Sequence, residues 1–425
     1  MKLRGEIILP GDKSISHRAA ILGALSDGDL AVTNFGSSAD CAATVDVLRE
    51  LGVEIDRDGG RLSIRGVGKD GLRRPERELN CENSGTTMRL MAGVLAGQDF
   101  ASVLVGDESL QKRPMRRVMD PLIAMGADVR GTDGHAPLTV IGRRPLRAIE
   151  YEPVAASAQL KSCVLLAGLN ADGETSVLER TPTRDHTERM LRWLGADVRE
   201  EPGTEGVRIS VSGDARLHAR DIHVPSDLSS AAFFIVAAGL LDGSEISMPG
   251  VGVNGSRRAV VDVLQQIGVD VRIENERSVC NEPVADLTVH GRGGISSAGR
   301  NLLSGGVIAN LIDEIPILAI AGTQIEGGLE VRDAGELRIK ESDRIAAVVG
   351  NLRLMGGEAE EFEDGFRVGR SDLHGAKVDS FGDHRIAMAF AVAALFAEGE
   401  TEIAGADCAA VSFPAFYEEL ERVKC

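Results

Sequence analysis

The chain is expected to fold as an α/β (α+β) protein of two lobes, each built from three β-α-β-α-β-β repeat units. Three observations predict this. A loop of small polar residues opening an Ala-rich helix occurs six times: G-D-K-S at Gly11, N-S-G-T-T at Asn83, S-A-Q-L-K at Ser157, S-D-L-S-S at Ser226, I-D-E at Ile312 and G-D-H-R at Gly382. With Lys13, Ser84, Ser157, Asp227, Asp313 and Asp383 as markers, the spacings are 71, 73, 70, 86 and 70 residues, a regularity that signals an internal repeat. Finally, 425 residues exceed what one hydrophobic core fills, so six units should divide into two sets of three.

Within each unit the elements follow in a fixed order. The polar loop starts a helix, which runs into a Gly-containing turn and an alternating stretch such as S-D-G-D-L-A-V, A-D-G-E-T-S-V, L-D-G-S-E-I-S or A-E-G-E-T-E-I. Turn chemistry and alternation both read as a strand. A second, amphipathic helix closes on one recurring phrase: L-G-V-E-I at Leu51, M-G-A-D-V at Met125, L-G-A-D-V at Leu194, I-G-V-D-V at Ile267 and M-G-G-E-A at Met355. Its Gly is a helix C-terminal stop, after which a strand begins. Another alternating stretch follows in most units, as in R-L-S-I-R at Arg61, V-R-I-S-V at Val207 and D-L-T-V-H at Asp286. The lobes are expected at residues 12–226 and at 1–11 plus 227–425. The second is discontinuous because Gly5–Pro10 reads as a strand with no helix before it, which makes the crossings near Gly11 and Ser226 a hinge. The 86-residue spacing implies an insertion between Asn275 and Leu311, read as a surface loop.

Composition excludes several classes of function. The longest uninterrupted apolar run, Ile386 to Ala397, falls short of the ~18 residues a spanning helix needs. No secretory h-region follows the first residues, so a cytoplasmic protein is expected. Six cysteines lie far apart without a C-x-x-C, which points to neither a disulfide framework nor a zinc site. A net charge of −18 and 3% aromatic residues argue against nucleic-acid and anionic-membrane partners.

Repeats related by rotation point equivalent helices the same way, so the polar loops should gather on one face of each lobe. If those faces oppose each other, the helix N-termini converge on a cleft and favour phosphate or carboxylate. The side chains there agree: Lys13, Ser14, Ser16 and Arg18 in the first unit, Thr86, Thr87 and Arg89 in the second, Gln159 and Lys161 in the third, His384 and Arg385 in the sixth. Singly, each reads more simply as a cap or a solvated charge. Their recurrence at one structural position favours an anion site. R-I-K-E-S-D-R at Arg338 reads equally as a functional charge cluster or as a salt-bridged surface helix, with Lys340 and Arg344 at i, i+4 and Glu341 and Arg344 at i, i+3. For Asp313 and Glu314, at the start of an apolar helix, capping is the simpler expectation.

Two motifs compete with this reading. G-V-G-V-N-G at Gly250 matches the dinucleotide fingerprint G-x-G-x-x-G, with Asp270 about twenty residues on, and would imply an NAD-dependent oxidoreductase. The same segment recurs in the other units without those glycines, so the repeat explains it. G-D-K-S at Gly11 lacks the spacer and G-K pair of a triphosphate-binding loop.

L-P-G-D-K-S-I-S-H-R-A, N-S-G-T-T-M-R, K-R-P-M, S-A-Q-L-K-S, T-R-D-H-T-E, I-D-E-x-P, R-I-K-E-S-D-R and F-G-D-H-R-I-A-M together resemble the signature segments of the 5-enolpyruvylshikimate-3-phosphate synthase family of enolpyruvyl transferases. The resemblance runs along essentially the whole chain in the family's order. It implies an active site in the cleft between two three-unit lobes, small-molecule substrates, no cofactor, no metal and a monomer. The implied reaction is attack of the 5-hydroxyl of shikimate 3-phosphate on C2 of phosphoenolpyruvate, giving a tetrahedral adduct that expels phosphate. It further implies contacts to shikimate 3-phosphate from Lys13, Ser14, Arg18, Ser157, Ala158, Gln159, Arg184, Asp313 and Lys340. Phosphoenolpyruvate would meet Lys13, Gly85, Arg113, Gln159, Glu341, Arg344, His384 and Arg385, and Lys13, Asp313 and Glu341 would move the protons. Glyphosate occupies the phosphoenolpyruvate position in this family. The chain departs from the family pattern at Ala158, Glu336 and Val411. Within the same fold, the enolpyruvyl transferase acting on UDP-N-acetylglucosamine is the alternative, but its members usually carry a reactive Cys in the loop that Gly106–Pro121 occupies here, and that segment has none.

Overall fold

A computed structural model describes residues 1–292 and 301–425. Five repeats each build a four-stranded mixed sheet of one design. In the second repeat Leu79–Asn80 runs parallel to Ala101–Val105, which pairs antiparallel with His135–Ile141, and Asp128–Thr132 forms the far edge. The third repeats this with Glu150–Tyr151, Glu174–Glu179, Gly206–Ser212 and Val198–Gly203, the fifth with Leu302–Leu303, Leu329–Val331, Gly365–Val368 and Ala359–Phe362. In the first repeat the parallel edge comes from far along the chain, since Ile222–His223 pairs with Asp27–Thr33. In the fourth it is Arg4–Glu6, paired with Glu245–Gly252.

Packing divides the chain into two compact units. One comprises Gly11–Val224 with Val279–Glu282; the other comprises Met1–Pro10, Pro225–Ser278 and Pro283–Cys425. Each has its own apolar core. The opening helices are apolar on nearly every side because they run through those cores: in Leu228–Leu240 all residues but the last are buried, as expected of a helix with no solvent face. Small residues permit the close approach. A Cβ on Gly93, in the helix Gly85–Ala96, would lie 2.3 Å from the carbonyl oxygen of Cys163 in the helix Ala158–Gly168. The recurring phrase after each second helix stops it as its glycine predicts: Gly52, Gly126, Gly195, Gly268 and Gly356 all have positive φ, between 79° and 100°, a region where glycine pays no Cβ penalty.

Several expectations need correction. The strand near the amino terminus is Arg4–Glu6, not Gly5–Pro10, because the Ile8 amide is taken by the Glu419 carboxylate at 3.0 Å and is lost to the ladder. The stretch after Asn275 is not all loop: Asp270–Val279 and Glu282–His290 are long neighbouring strands, and the remainder of that insertion includes residues outside those described. The sixth repeat has only the parallel pair Lys377–Asp379 and Glu402–Ala404 among the described residues. Where a hairpin would follow, the helix Phe416–Arg422 packs Phe416 against Phe234 and Phe233, with ring centroids 5.6 and 5.8 Å apart. The dinucleotide reading also fails, since Gly250 and Gly252 lie inside the strand Glu245–Gly252, not in a tight turn between strand and helix.

Candidate active site

Five of the six opening helices carry a side-chain cap at the marker or the residue beside it. Asp12, Ser84, Ser157, Asp227 and Asp383 accept from the amides of Ile15, Thr87, Leu160, Ser229 and Arg385. These short polar residues stop the preceding strand and set the first helical turn, which places the residues beside them at the positive end of the helix.

In the unit containing Gly11–Val224, Lys13 is the first residue of its helix and its ammonium lies 2.8 Å from Asp40. Arg18, one turn further, is buried. It donates from Nε to Thr187 Oγ1 at 2.7 Å, from Nη2 to Ser162 Oγ at 2.7 Å and from Nη1 to the Ser14 carbonyl at 2.9 Å. Burial pulls the guanidinium down to about 10, against the nearby negative charge of Glu188 and Asp12. Gln159 joins the second and third repeats: its amide donates to Thr86 Oγ1 at 3.0 Å and its carbonyl accepts from Arg89 Nη1 at 2.6 Å. Arg113 donates to Asn83 Oδ1 at 2.7 Å, and a Cβ on Gly85 would sit 3.1 Å from Arg89 Nη1 and 3.3 Å from Arg113 Nη1. Gly85, Arg113 and Gln159 are thus neighbours. Ser157 caps its helix, Ala158 begins it, and Arg184 lies in the turn before the helix His186–Trp193.

The other unit gathers Asp313, Lys340, Glu341, Arg344, His384 and Arg385. Arg344, 1% exposed, donates to Asp383 Oδ2 at 2.7 Å, to Glu341 Oε2 at 2.6 Å and to Asp313 Oδ1 at 3.5 Å. Burial opposes its charge, but Asp383 and Glu341 outweigh it and hold the guanidinium above its usual value. Burial likewise penalises the Asp383 carboxylate, and Arg344 reverses this, so Asp383 is held below the ordinary carboxylate range. Lys340 Nζ lies 4.0 Å from Asp313 Oδ1; burial lowers its ammonium, with Asp313 opposing. Arg385 donates to the Asp313 carbonyl at 2.8 Å and approaches Glu314 Oε1 at 3.6 Å. His384 is the first residue of its helix and is buried.

Two readings of this region are overturned. R-I-K-E-S-D-R is not one surface helix: a 3-10 turn ends at Ile339 and the α-helix starts at Arg344. The Glu341–Arg344 pair forms, but across a loop and with Arg344 buried. Neither Asp313 nor Glu314 caps the helix Ile315–Gln324 with its side chain. Glu314 instead accepts from Ser229 and faces Arg385, and the Asp313 carboxylate faces Lys340, Arg344 and Arg385. Sequence reasoning missed Asp40, Glu314, Ser162 and Thr187 as partners of site residues. Thr187 had a usable signal in the segment T-R-D-H-T-E; Asp40, inside an ordinary amphipathic helix, had none.

The basic set of one unit can bind anions, and the carboxylate-rich set of the other can exchange protons. Comparison with known proteins agrees in kind. A family model of EPSP synthase (3-phosphoshikimate 1-carboxyvinyltransferase) matches residues 1–420. A 3-phosphoshikimate 1-carboxyvinyltransferase of Salinibacter ruber is 51% identical over 99% of this chain and 97% of its own length, and one of Pelotomaculum thermopropionicum is 50% identical over 99% and 96%. A solved structure of EPSP synthase from Acinetobacter baumannii superposes with a TM-score of 0.88 at 42% identity, covering 99% of this chain and 96% of that one. Since the match runs through all six repeats, the chain belongs to the EPSP synthase family.

Proposed function

We propose that this chain transfers the enolpyruvyl group of phosphoenolpyruvate to the 5-hydroxyl of shikimate 3-phosphate and releases phosphate. The observation that carries the reading is the division of polar groups between the two units. Lys13, Arg18, Arg113 and Gln159 lie in one unit, and Asp313, Glu341, Lys340, Arg344 and Arg385 cluster in the other. The substrates bring two phosphates and two carboxylates together against their mutual repulsion, which needs several fixed cations; arginine forks suit both groups.

The reaction adds the 5-hydroxyl oxygen to C2 of phosphoenolpyruvate while C3 gains a proton and the hydroxyl loses one. The tetrahedral adduct then loses phosphate from C2 and a proton from C3, restoring the methylene. Each positioned proton carrier contributes about 10²–10⁴-fold, and Asp313, Glu341 and Lys13 fill that role in this reading. Lys13, Ser14, Arg18, Ser157, Ala158, Gln159, Arg184, Asp313 and Lys340 hold shikimate 3-phosphate. Gly85, Arg113, Arg344, His384 and Arg385, with Lys13, Gln159 and Glu341, hold phosphoenolpyruvate. The enzyme acts as a monomer. Phosphate release from phosphoenolpyruvate tests the assignment: it should require shikimate 3-phosphate and fail with UDP-N-acetylglucosamine, and the reverse dependence would refute it.

A further inference from the structure

We infer that Thr187 and Ser162 are positioning residues that aim the Arg18 guanidinium at an anionic group of shikimate 3-phosphate, an inference that rests on the reading of Arg18 as a contact of that substrate. The hydrogen-bond directions among these groups are fixed by counting protons. Ser162 Oγ donates its one proton to the Ala158 carbonyl at 2.6 Å. The 2.7 Å contact between Ser162 Oγ and Thr187 Oγ1 must therefore be donated by Thr187. Both hydroxyl oxygens are left to accept, Thr187 from Arg18 Nε and Ser162 from Arg18 Nη2. One edge of the guanidinium fork is thus clamped by two hydroxyls, neither of which can turn away without breaking its own donated bond.

The Ser14 carbonyl takes a third proton, from Nη1. Of the five N–H groups of an arginine, these three are engaged among the described residues, and five minus three leaves two, one on each terminal nitrogen. That pair is the edge that accepts a carboxylate or phosphate in a bidentate contact. Because the clamp is made of neutral oxygens, it fixes direction without cancelling charge. The clamp itself is anchored. Ser162 and Thr187 sit on the helices Ala158–Gly168 and His186–Trp193, and one residue away on each helix Lys161 Nζ meets Glu188 Oε1 at 2.6 Å, with Glu179 Oε2 at 2.8 Å. The Ala158 carbonyl that receives the Ser162 proton belongs to the turn that carries Ser157 and Gln159.

Titration calorimetry with shikimate 3-phosphate and steady-state kinetics test this. Thr187→Val keeps the shape and removes both hydrogen bonds of the hydroxyl. It should weaken shikimate 3-phosphate by about tenfold, the usual scale for a hydrogen bond to a charged group, and raise KM for that substrate. The KM for phosphoenolpyruvate and kcat should stay within about twofold. Thr187→Ser should restore affinity, and Ser162→Ala should act in the same direction as Thr187→Val. In an Arg18→Met background, Thr187→Val should cost nothing further, because the two residues act as one. Wild-type affinity in Thr187→Val, an equal loss in Thr187→Ser, or a full additional loss in the Arg18→Met background would each overturn the inference. Undiminished affinity in Arg18→Met itself would instead remove the reading of Arg18 on which it stands.

Discussion

The two units treat their buried arginines in opposite ways. Around Gly11–Val224, Arg18 is held by the hydroxyls of Thr187 and Ser162 and a carbonyl, and Arg89 donates to the Gln159 carbonyl. In the other unit Arg344 is held by Asp383, Glu341 and Asp313, Arg257 lies 3.3 Å from Asp227, and Arg385 faces Asp313 and Glu314. Neutral oxygens orient a guanidinium and leave its field for a ligand. Carboxylates cancel it, and in return the arginine keeps them ionised inside the protein. The first set therefore offers uncancelled guanidinium charge to anions, whereas the second keeps carboxylates ionised at fixed positions beside the arginines read as phosphoenolpyruvate ligands. The lysines of that unit depart from the pattern: Lys13 pairs with Asp40, and Lys161, to which family resemblance gives no ligand, pairs with Glu179 and Glu188.

The contrast can be broken most forcefully at Arg344. Removing one partner of a buried ion pair leaves the other charge uncompensated, at a cost of about 3–5 kcal/mol. Arg344→Met should lower the unfolding free energy in guanidinium by that amount, and adding Asp383→Asn should recover part of it. Arg18→Met strands only neutral hydroxyls and should cost about 1–3 kcal/mol. Equal losses for the two variants would erase the distinction drawn between the units.

Glu341→Gln sharpens the comparison on the carboxylate side. The amide keeps size and hydrogen-bonding reach but cannot carry the proton, so kcat should fall by about 10²-fold or more while shikimate 3-phosphate binds nearly as before. Near-normal turnover would take Glu341 out of the proton-transfer scheme.

Acid should act on the two units in different pH windows. His17 is buried, with Nδ1 2.6 Å from Thr44 Oγ1, and burial pushes the imidazole from 6.5 down to about 3, with Lys13 adding to the shift and Asp40 opposing it. The unfolded chain therefore binds a proton below pH 6.5 that the folded chain refuses, and stability is lost as pH falls from about 6.5 towards 3, by up to about 1.4 kcal/mol per pH unit. Asp383 is held below 3.8; its contribution is complete above that value and lost only below it. The chain has one tryptophan, Trp193, which lies in the unit of His17. Its fluorescence should report denaturant midpoints that fall between pH 6 and 4 in the wild type and fall less steeply in His17→Gln. Identical slopes would contradict the assignment.

Much of this was legible in the residues, for physical reasons that differ by position. Gly52 and its four counterparts are readable because a helix stop needs positive φ, which few residues other than glycine adopt cheaply. Asp12, Ser84 and Ser157 are readable because capping selects short polar side chains. The absent hairpin of the sixth repeat was also foreshadowed, since only five copies of the recurring Gly phrase exist. What stayed hidden were long-range partners. Asp40 meets Lys13 from 27 positions away, and Thr187 meets Arg18 from 169; no local pattern encodes such a meeting. Arg344 misled because i, i+3 spacing reads the same on a surface helix as across a half-buried loop that leads into a buried arginine. Asp313 and Glu314 misled because the rule that carboxylates cap helices takes no account of a lysine and two arginines, Lys340, Arg344 and Arg385, arriving from 27 to 72 positions further along the chain.

The smallest expected effect is at Gly85, where a missing side chain separates two ligands of similar charge. An added Cβ would meet the terminal nitrogens of Arg89 and Arg113 at 3.1 and 3.3 Å, closer than ordinary contact, so one or both guanidinium groups must give by a few tenths of an ångström. Arg113 is also, in the proposed reading, a ligand of phosphoenolpyruvate, and the methyl would project where that substrate or glyphosate lies. Glyphosate is the longer of the two and should suffer first, which is discrimination through a clash built against the competitor. Wild-type protein should be inhibited by glyphosate competitively with phosphoenolpyruvate. Gly85→Ala should weaken the inhibitor by about tenfold, the scale of one misplaced methyl group in a pocket, and raise KM for phosphoenolpyruvate by less. Arg89 is tied to Gln159 and Arg113 to Asn83, so any yielding of the guanidiniums should reach the neighbouring contacts and cost some turnover as well. Steady-state inhibition constants for both proteins decide the matter: equal losses for inhibitor and substrate would mean that the displaced arginines, not the methyl itself, govern what the site admits.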